Sequence, residues 1–371
     1  MKNLKSLFRP YLLGNLELAN KIVMAPMTRA RACNEELVPT DEHLVYYAQR
    51  SSAGLIISES VPVSKNGIGA VHIPGIYTQI QVDQWKKVTA AVHSKKGHIF
   101  VQLVHCGSVS NRSLLSGKRP CGPSAVNPME QVHTLKGAKN TVIPKAFSKK
   151  EIKSLVAEFK HAAISAMEAD FDGIELHAQL YTLIPQFLSP LTNLRHDEYG
   201  GNIPNRARVL FEILEAVSEV WRYDRIGIKF APAAFNKGLI NPGTETLDTF
   251  KYLLKELSKK GLAYIHLVGP ARSLLGTALE SIENGYFEYF RNLYKGTLIA
   301  NKAFGVDSAE EILVSKNADL VSFGVPFIAN PDLVDRFRNG WELSTAESSS
   351  YYSLGTRGYT DYPNYLSGFD S

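Results

Sequence analysis

Eight short runs, apolar almost without interruption, recur along the chain: KIVMAPM (21–27), GLIISE (54–59), HIFVQLV (98–104), GIEL (173–176), IGIKFA (226–231), YIHLV (264–268), TLIAN (297–301) and LVSFG (320–324). A strand with one wet face alternates apolar and polar side chains, whereas a strand covered on both faces need not. The segments between the runs read as helices. Ser148 and Glu151 form a capping box ahead of Ile152, Leu155, Val156, Phe159, Ala163 and Met167 on one face. Pro204 suits a first turn before Ala207, Leu210, Phe211, Leu214 and Val217, and Trp85, Val88 and Val92 mark another helix. Eight strand–helix alternations with buried strands predict an α/β fold, a (β/α)8 TIM barrel.

The 371 residues fit one such barrel with insertions, so residues 1–371 are expected to form a single domain. Residues 106–147, rich in Ser, Gly, Pro and Lys, form an inserted capping segment after the third strand, expected as a hairpin or lid over the barrel mouth. Residues 341–371 form a C-terminal tail that carries Tyr351, Tyr352, Tyr359 and Tyr362 without helical periodicity.

Composition narrows the function classes. Hydrophobic residues make up 44% and charged residues 21%, as in an ordinary globule. The net charge of +5 comes from 41 basic and 36 acidic residues without a basic run, which argues against nucleic-acid binding and suits an anionic cofactor or substrate. Cys33, Cys106 and Cys121 show no C-x-x-C spacing and read as small buried hydrophobes in a reduced, cytoplasmic protein. No run is long enough for a signal peptide or a membrane span. The ten His lack metal-ligand spacing; His43, His93 and His98 fall at helical positions and are expected at the surface, and His105 is expected to be structural. Gly324 follows a strand but lacks G-x-G-x-x-G, which excludes a Rossmann reading.

In parallel barrels chemistry is built at the C-terminal ends of strands. The stretch FDGIELHAQLYTLIPQFLSPLTNLRHDEYGGNIPNRAR (171–208) reads as a strand over 172–177 ending on His177, a polar loop of about twenty residues, and a helix start. Such a loop is far longer than a strand–helix connection needs.

This stretch resembles the signature of the old yellow enzyme family of FMN-dependent ene-reductases, roughly H-G-A-[NH]-G-Y-L-x-x-Q-F-L followed by N-x-R-x-D-x-Y-G-G-S-x-x-N-R-x-R. Gln186, Phe187, Leu188, Asn193, Arg195, Asp197, Tyr199, Gly200, Gly201, Asn205, Arg206 and Arg208 match it. Leu180 stands where the family has a second substrate-binding Asn or His, and Thr182 where it has a proton-donating Tyr. The resemblance extends from LFRPYLLGNLELANKIVMAPMTRARA (7–32) to GYTDYP (358–363), and implies that the tail wraps toward the mouth.

The resemblance implies FMN on the barrel's C-terminal face. Pro26, Met27 and Thr28 would contact the flavin ring, Gln102 its pyrimidine edge, and Lys229, in place of an Arg, the region of N1. Around the phosphate, Lys302-Ala303 replaces a Gly-Gly pair and Gly324-Val325 a Gly-Arg pair, leaving Lys302 as a point cation. On the substrate side, Val104 replaces a Trp and Ser108 an Arg; with Leu180 and Thr182 they make the pocket smaller and more apolar. His177 would remain as the carbonyl-activating donor, Tyr181 would replace the proton donor, and Tyr77 and Tyr352 would line the pocket. The implied reaction is NAD(P)H-driven hydride transfer, from NADH or NADPH, to an activated alkene. The competing readings are a redox-silent descendant catalysing isomerisation, cyclisation or elimination, with flavin absent or purely structural, and a non-catalytic binding protein. The expected partner is a small-molecule substrate, with no metal, nucleic acid or membrane, on a monomer or homodimer.

Overall fold

The computed structural model describes residues 5–235, 238–239 and 241–366. Each of the eight apolar runs is a barrel strand: β3 (Ile22–Met24), β4 (Leu55–Pro62), β5 (Ile99–Val104), β10 (Gly173–Ala178), β11 (Ile226–Phe230), β12 (Tyr264–Val268), β13 (Leu298–Asn301) and β14 (Leu320–Phe323). They pair in parallel and in chain order, and β14 closes on β3. The crossovers are α1 (Asp41–Gln49), α2 (Gln79–Ser94), α3 (Lys149–Glu168), α5 (Ile203–Ser218), α6 (Thr246–Leu257), α7 (Tyr286–Leu293) and α8 (Val306–Val314). Helices α9 (Val325–Ala329) and α10 (Leu333–Asn339) follow the last strand. Ser148 caps α3 with Glu151 returning the bond, and Pro204 occupies the first turn of α5, as the sequence predicts.

The barrel interior is stratified. Its N-terminal end is filled by Val23, Leu55, Ile57, Phe100, Tyr264, Ile299 and Leu320, and these pack against Leu13, Leu16 and Leu18. Those leucines come from a hairpin the sequence reading did not anticipate, β1 (Tyr11–Leu13) with β2 (Leu16–Leu18), turned at Gly14 with φ +59°. Burying one such leucine contributes about 1.5–3 kcal/mol. The hairpin therefore plugs the end opposite the one where chemistry is expected.

The segment 106–147 holds strand β6 (Cys121–Gly122), the hairpin β7 (Gln131–Thr134) with β8 (Gly137–Asn140), and β9 (Lys145–Ala146), which pairs with β6. The tail runs back against the loop after β3, where the guanidinium groups of Arg29 and Arg31 donate to its carbonyls. Residues 367–371 of the expected tail lie outside the described residues.

Three expectations need correction. His43 is not at the surface: α1 turns it inward, where it is fully buried 3.5 Å from Glu59 and edge-on to Trp85. Cys33 is exposed, because it lies in the surface loop between β3 and α1, and Cys106 and Cys121 are only half-buried. The polar loop after β10 contains a short helix, α4 (Leu183–Leu188), whose Leu183, Ile184, Phe187 and Leu188 are buried. Among the described residues no helix is long and apolar enough to cross a membrane, and no cluster of His, Cys, Asp or Glu has the arrangement of a metal site.

Candidate active site

Above the apolar floor the barrel interior turns polar. Each contributing residue is a polar interruption in an apolar strand: Gln102 in β5, Glu175 and His177 in β10, Lys229 in β11, His266 in β12 and Ser322 in β14. Buried polar groups must find partners, and these find one another. Gln102 Nε2 donates to Glu175 Oε1 at 2.7 Å, and His266 Nδ1 lies 2.8 Å from Glu175 Oε2. His266 Nε2 lies 2.8 Å from Ser322 Oγ, which accepts from Asn301 Nδ2 at 2.8 Å. On the other side Ser60 Oγ donates to Gln102 Oε1 and lies 3.1 Å from His177 Nδ1.

Ser60 reaches this layer through an irregularity. Along β4 and β5, Ile57 pairs with Phe100 but Ser60 pairs with Gln102, so three steps on one strand oppose two on the other. A bulge of this kind re-aims the side chains beyond it.

Electrostatics fix the charge states. Burial alone would raise the pKa of Glu175, but His266, Lys229 and the donated bond from Gln102 bring it below the ordinary value, so it is a carboxylate. Burial lowers Lys229 to about 8, and Glu175 opposes the fall. Burial, reinforced by the Lys229 charge, lowers His177 to about 3 and His266 to about 4, so both imidazoles are neutral at physiological pH. His177 Nε2 is buried without a partner, and so is Gln179 Oε1.

Of the residues singled out from the sequence, Gln102, His177 and Lys229 belong to this layer. Pro26, Met27 and Thr28 follow the end of β3 and are half-exposed, with Met27 Sδ 3.6 Å from where a side chain on Gly324 would begin. Lys302 and Ala303 are exposed beyond β13, and Val325, at the start of α9, is 54% exposed. Val104 is buried at the end of β5.

Other expected site residues serve different ends. Thr182 is buried, and its hydroxyl lies 2.9 Å from the carbonyls of His177 and Gln179, so its one proton is spent in the turn before α4. Ser108 directs both its amide and its hydroxyl to Gln186 Oε1, each at 2.9 Å. Leu180 holds a left-handed φ of 51°, a costly conformation for a branched side chain, and lines a cavity of about 190 Å³ with Pro185, Leu188, Pro232 and Phe250. Tyr77 precedes the N-cap of α2, and its amide donates to Gln81. Tyr352 is 63% exposed on the tail, and Tyr181 is 38% exposed, its pKa raised by burial and by Glu130 of the inserted segment.

Beyond β10, the polar signature residues Gln186, Asn193 and Arg195 are structural staples. Gln186 Nε2 donates to the carbonyls of Cys106 and Tyr181, which ties the loop after β5 to the loop after β10. Asn193 Nδ2 donates to the carbonyls of Phe187 and Tyr199. Arg195 grips Asp197 with two nitrogens and reaches the carbonyls of Pro123 and Phe147 in the inserted segment. Sequence reasoning missed Ser60, Glu175, His266, Ser322 and Asn301; Glu175, His266 and Ser322 carry a signal that could have found them, a polar side chain interrupting an apolar strand.

The layer suits a flavin ring. Lys229 brings a buried ammonium with no hydrogen-bond partner among the described residues, and Gln102 keeps one N–H and one lone pair beyond those used by Glu175 and Ser60. A group with acceptors along one edge and a donor beside them fits these atoms. The phosphate end is thinner, with Lys302, Ala303 and Val325 exposed but no guanidinium at position 325.

Comparison with known proteins agrees with this geometry. A profile of the NADH:flavin oxidoreductase / NADH oxidase family matches residues 6–344. The chain is 36% identical to the flavin oxidoreductase hxnT of Emericella nidulans, over 97% of this chain and 98% of that protein. It is 35% identical to 12-oxophytodienoate reductase 2 of Arabidopsis thaliana, over 96% of this chain and 95% of that one. Among solved structures, morphinone reductase superposes with a TM-score of 0.91 at 39% identity, covering 100% of this chain and 99% of that one. The old yellow enzyme homologue from Zymomonas mobilis gives 0.90 at 36%, covering 96% and 99%. The eight-stranded barrel with its polar interior is that of a flavoenzyme, and the chain belongs to the NADH:flavin oxidoreductase / NADH oxidase family, the old yellow enzymes, which bind FMN.

Proposed function

We propose that the protein reduces an activated alkene at the expense of NAD(P)H, with Pro26, Met27, Thr28, Gln102 and Lys229 holding the flavin ring and Lys302, Gly324 and Val325 its phosphate. Bound FMN would supply a hydride acceptor and donor. The remaining roles fall to the chain's own residues. The observation that carries this reading is the buried Lys229 ammonium above Glu175, since a cation at the ring's edge favours the negative charge that reduction places there. His177 sits beside it as the residue nearest to a substrate's activating group, and Leu180, Val104 and Thr182 leave that pocket poor in donors. The purified protein should be yellow and should bleach anaerobically on addition of NADPH or NADH. A colourless protein that FMN cannot reconstitute would sink the reading.

Lys229 gives the reaction a pH signature. Its folded pKa of about 8 lies below the ordinary lysine value, so the folded site loses a proton that the unfolded chain keeps up to pH 10.5. The destabilising contribution of the buried charge is thus fully present below about pH 8 and fades as pH rises toward 10.5. Activity runs the other way, because the charged form is the useful one: flavin reduction should fall as pH rises above about 8. Lys229→Arg should remove that limb, since a guanidinium does not titrate in this range. An identical limb in the Arg variant would assign the titration to another group.

The phosphate end makes a separate prediction. Val325→Arg should tighten FMN at least tenfold, because a charge-assisted hydrogen bond contributes about 1.5–3 kcal/mol. Flavin fluorescence on dilution reads the change; an unaltered Kd would mean that Lys302 and the backbone amides already satisfy the phosphate.

A further inference from the structure

Side chains alternate across a barrel strand. In β5, Phe100 packs in the barrel floor, whereas Val101 and Leu103 pack outward against the helices. His105, just past the end of β5, continues the outward series, and its ring meets Phe147 edge-on with centroids 6.2 Å apart. There it lines a cavity of about 400 Å³ outside the barrel wall, between the first half of α3 and the segment around β6 and β9. That volume is within the range of small-ligand sites. The amide of Gly107 donates to His105 Nδ1 at 2.9 Å. The ring is 2% exposed, and burial lowers its pKa to about 4, so it is neutral and its one proton sits on Nε2. This N–H has no acceptor among the described residues. His105 is therefore structural through one nitrogen and uncommitted through the other.

The rest of the lining narrows what could meet that donor. Glu158 is half-buried and accepts from Ser64 Oγ at 2.8 Å, with Asn66 as a further donor, and its carboxyl oxygens keep lone pairs to spare. Leu115, Phe147 and Leu155 are buried and form apolar walls. Lys118 and Arg119 are exposed, with no carboxylate partner among the described residues, whereas Lys145 is paired with Glu151. We propose that this cavity is a second ligand site, for a nucleotide whose base carries an amino group beside a ring nitrogen, adenylate being the simplest. The base lies against Phe147 and the leucines, its ring nitrogen accepts from His105 Nε2, its amino group donates to Glu158, and its phosphate meets Lys118 and Arg119. Simpler anions match fewer of these groups. An amino acid leaves the buried His105 N–H without an acceptor, which is costly, and inorganic phosphate sets a dianion beside a carboxylate while the apolar walls go uncovered. The site is distinct from the flavin's, because Gln102 faces into the barrel and His105 away from it.

Cys121 lines the same cavity and Cys33 is exposed elsewhere, so alkylation of the FMN-loaded protein by N-ethylmaleimide, resolved by mass spectrometry, reads occupancy with an internal control. At about ten times its Kd, AMP should slow the modification of Cys121 about tenfold and leave Cys33 unchanged. Ribose 5-phosphate, which lacks the base, should protect far less. Lys118→Ala combined with Arg119→Ala should weaken AMP about tenfold, the worth of a charge-assisted hydrogen bond, and leave adenosine unaffected. Both positions are exposed, so a fault in folding does not confuse the result. NAD⁺ and NMN distinguish two sources of the same chemistry. Protection by NAD⁺ but not NMN would seat the adenylate half of the nicotinamide cofactor here, and protection by AMP without NAD⁺ would seat the free nucleotide; either supports the proposal. Modification of Cys121 at one rate with and without AMP would overturn it. So would equal protection by inorganic phosphate, which would mean an adventitious ion only.

Discussion

Glu175→Gln is expected to slow flavin reduction by NAD(P)H at pH 7 by about 10²-fold or more, the size of losing one preorganised electrostatic element. The side chain is isosteric, so the loss comes from charge and proton count rather than shape. Glu175 accepts from Gln102 on one oxygen and from His266 on the other. A carboxamide accepts on one side only and turns an N–H against a donor on the other, which leaves a buried group unpaired. Lys229 at the same time loses the one charge that opposes its burial, so its pKa falls further below about 8 and the ammonium empties toward neutral pH. Removing one partner of a buried pair costs about 3–5 kcal/mol, so a lowered Tm should accompany the loss of rate. The decisive measurement is anaerobic flavin reduction from pH 6 to 9. In the variant the descending limb should move to lower pH, and the rate at pH 6 should recover toward wild type more than the rate at pH 8. A variant that reduces its flavin at the wild-type rate with an unmoved limb would show that Glu175 does not hold the charge on Lys229.

The barrel was legible because burial on both faces leaves a strand almost no polar positions, and eight apolar runs in helical punctuation admit few closed arrangements. Half of the site was legible only through the family resemblance, which singled out Gln102 and Lys229. His266, Glu175 and Ser322 have no such motif, yet each is, like Gln102 and Lys229, a polar interruption in an apolar strand, a signal the sequence reading did not use. Ser60 was not legible in this way. Its turn into the layer depends on the irregular pairing around Ser58 and Glu59, a property of two strands together that no local pattern in β4 reveals. The hairpin of β1 and β2 escaped for a similar reason, because six residues alternating around Gly14 acquire meaning only against the open end of a barrel. The signature loop misled in the opposite direction. Its length suggested function and its Gln186, Asn193 and Arg195 match the family signature, yet their donors end on backbone carbonyls and on Asp197. Polar residues in long connections have two demands to meet, and here the loop's own backbone took precedence.

Arg31→Met should release the C-terminal tail, with a loss of about 3–5 kcal/mol and a Tm lower by roughly 5–10 °C. Arg31 is buried, and its guanidinium donates to the carbonyls of Tyr351 at 2.8 Å and of Ser350 and Arg357 at 3.0 Å, to Ser353 Oγ at 3.0 Å and to the carbonyl of Gly355 at 3.3 Å. Methionine fills similar volume but satisfies none of those acceptors, and a buried carbonyl left unpaired favours the state in which water reaches it. Arg29 contributes further bonds to Tyr351 and Gly358, and Tyr359 stacks on Tyr46 with centroids 4.1 Å apart, so the tail should loosen rather than the barrel unfold. The consequence reaches the site because Arg29 and Arg31 directly follow Pro26, Met27 and Thr28. A tail that no longer pins this loop leaves the ring contacts less preorganised, and FMN should bind about tenfold more weakly. Limited proteolysis is expected to cut the variant between residues 345 and 360 well before the barrel, while wild type resists. If the variant resists equally and keeps its FMN affinity, the aromatic stack alone holds the tail and the loop after β3 needs no support from it.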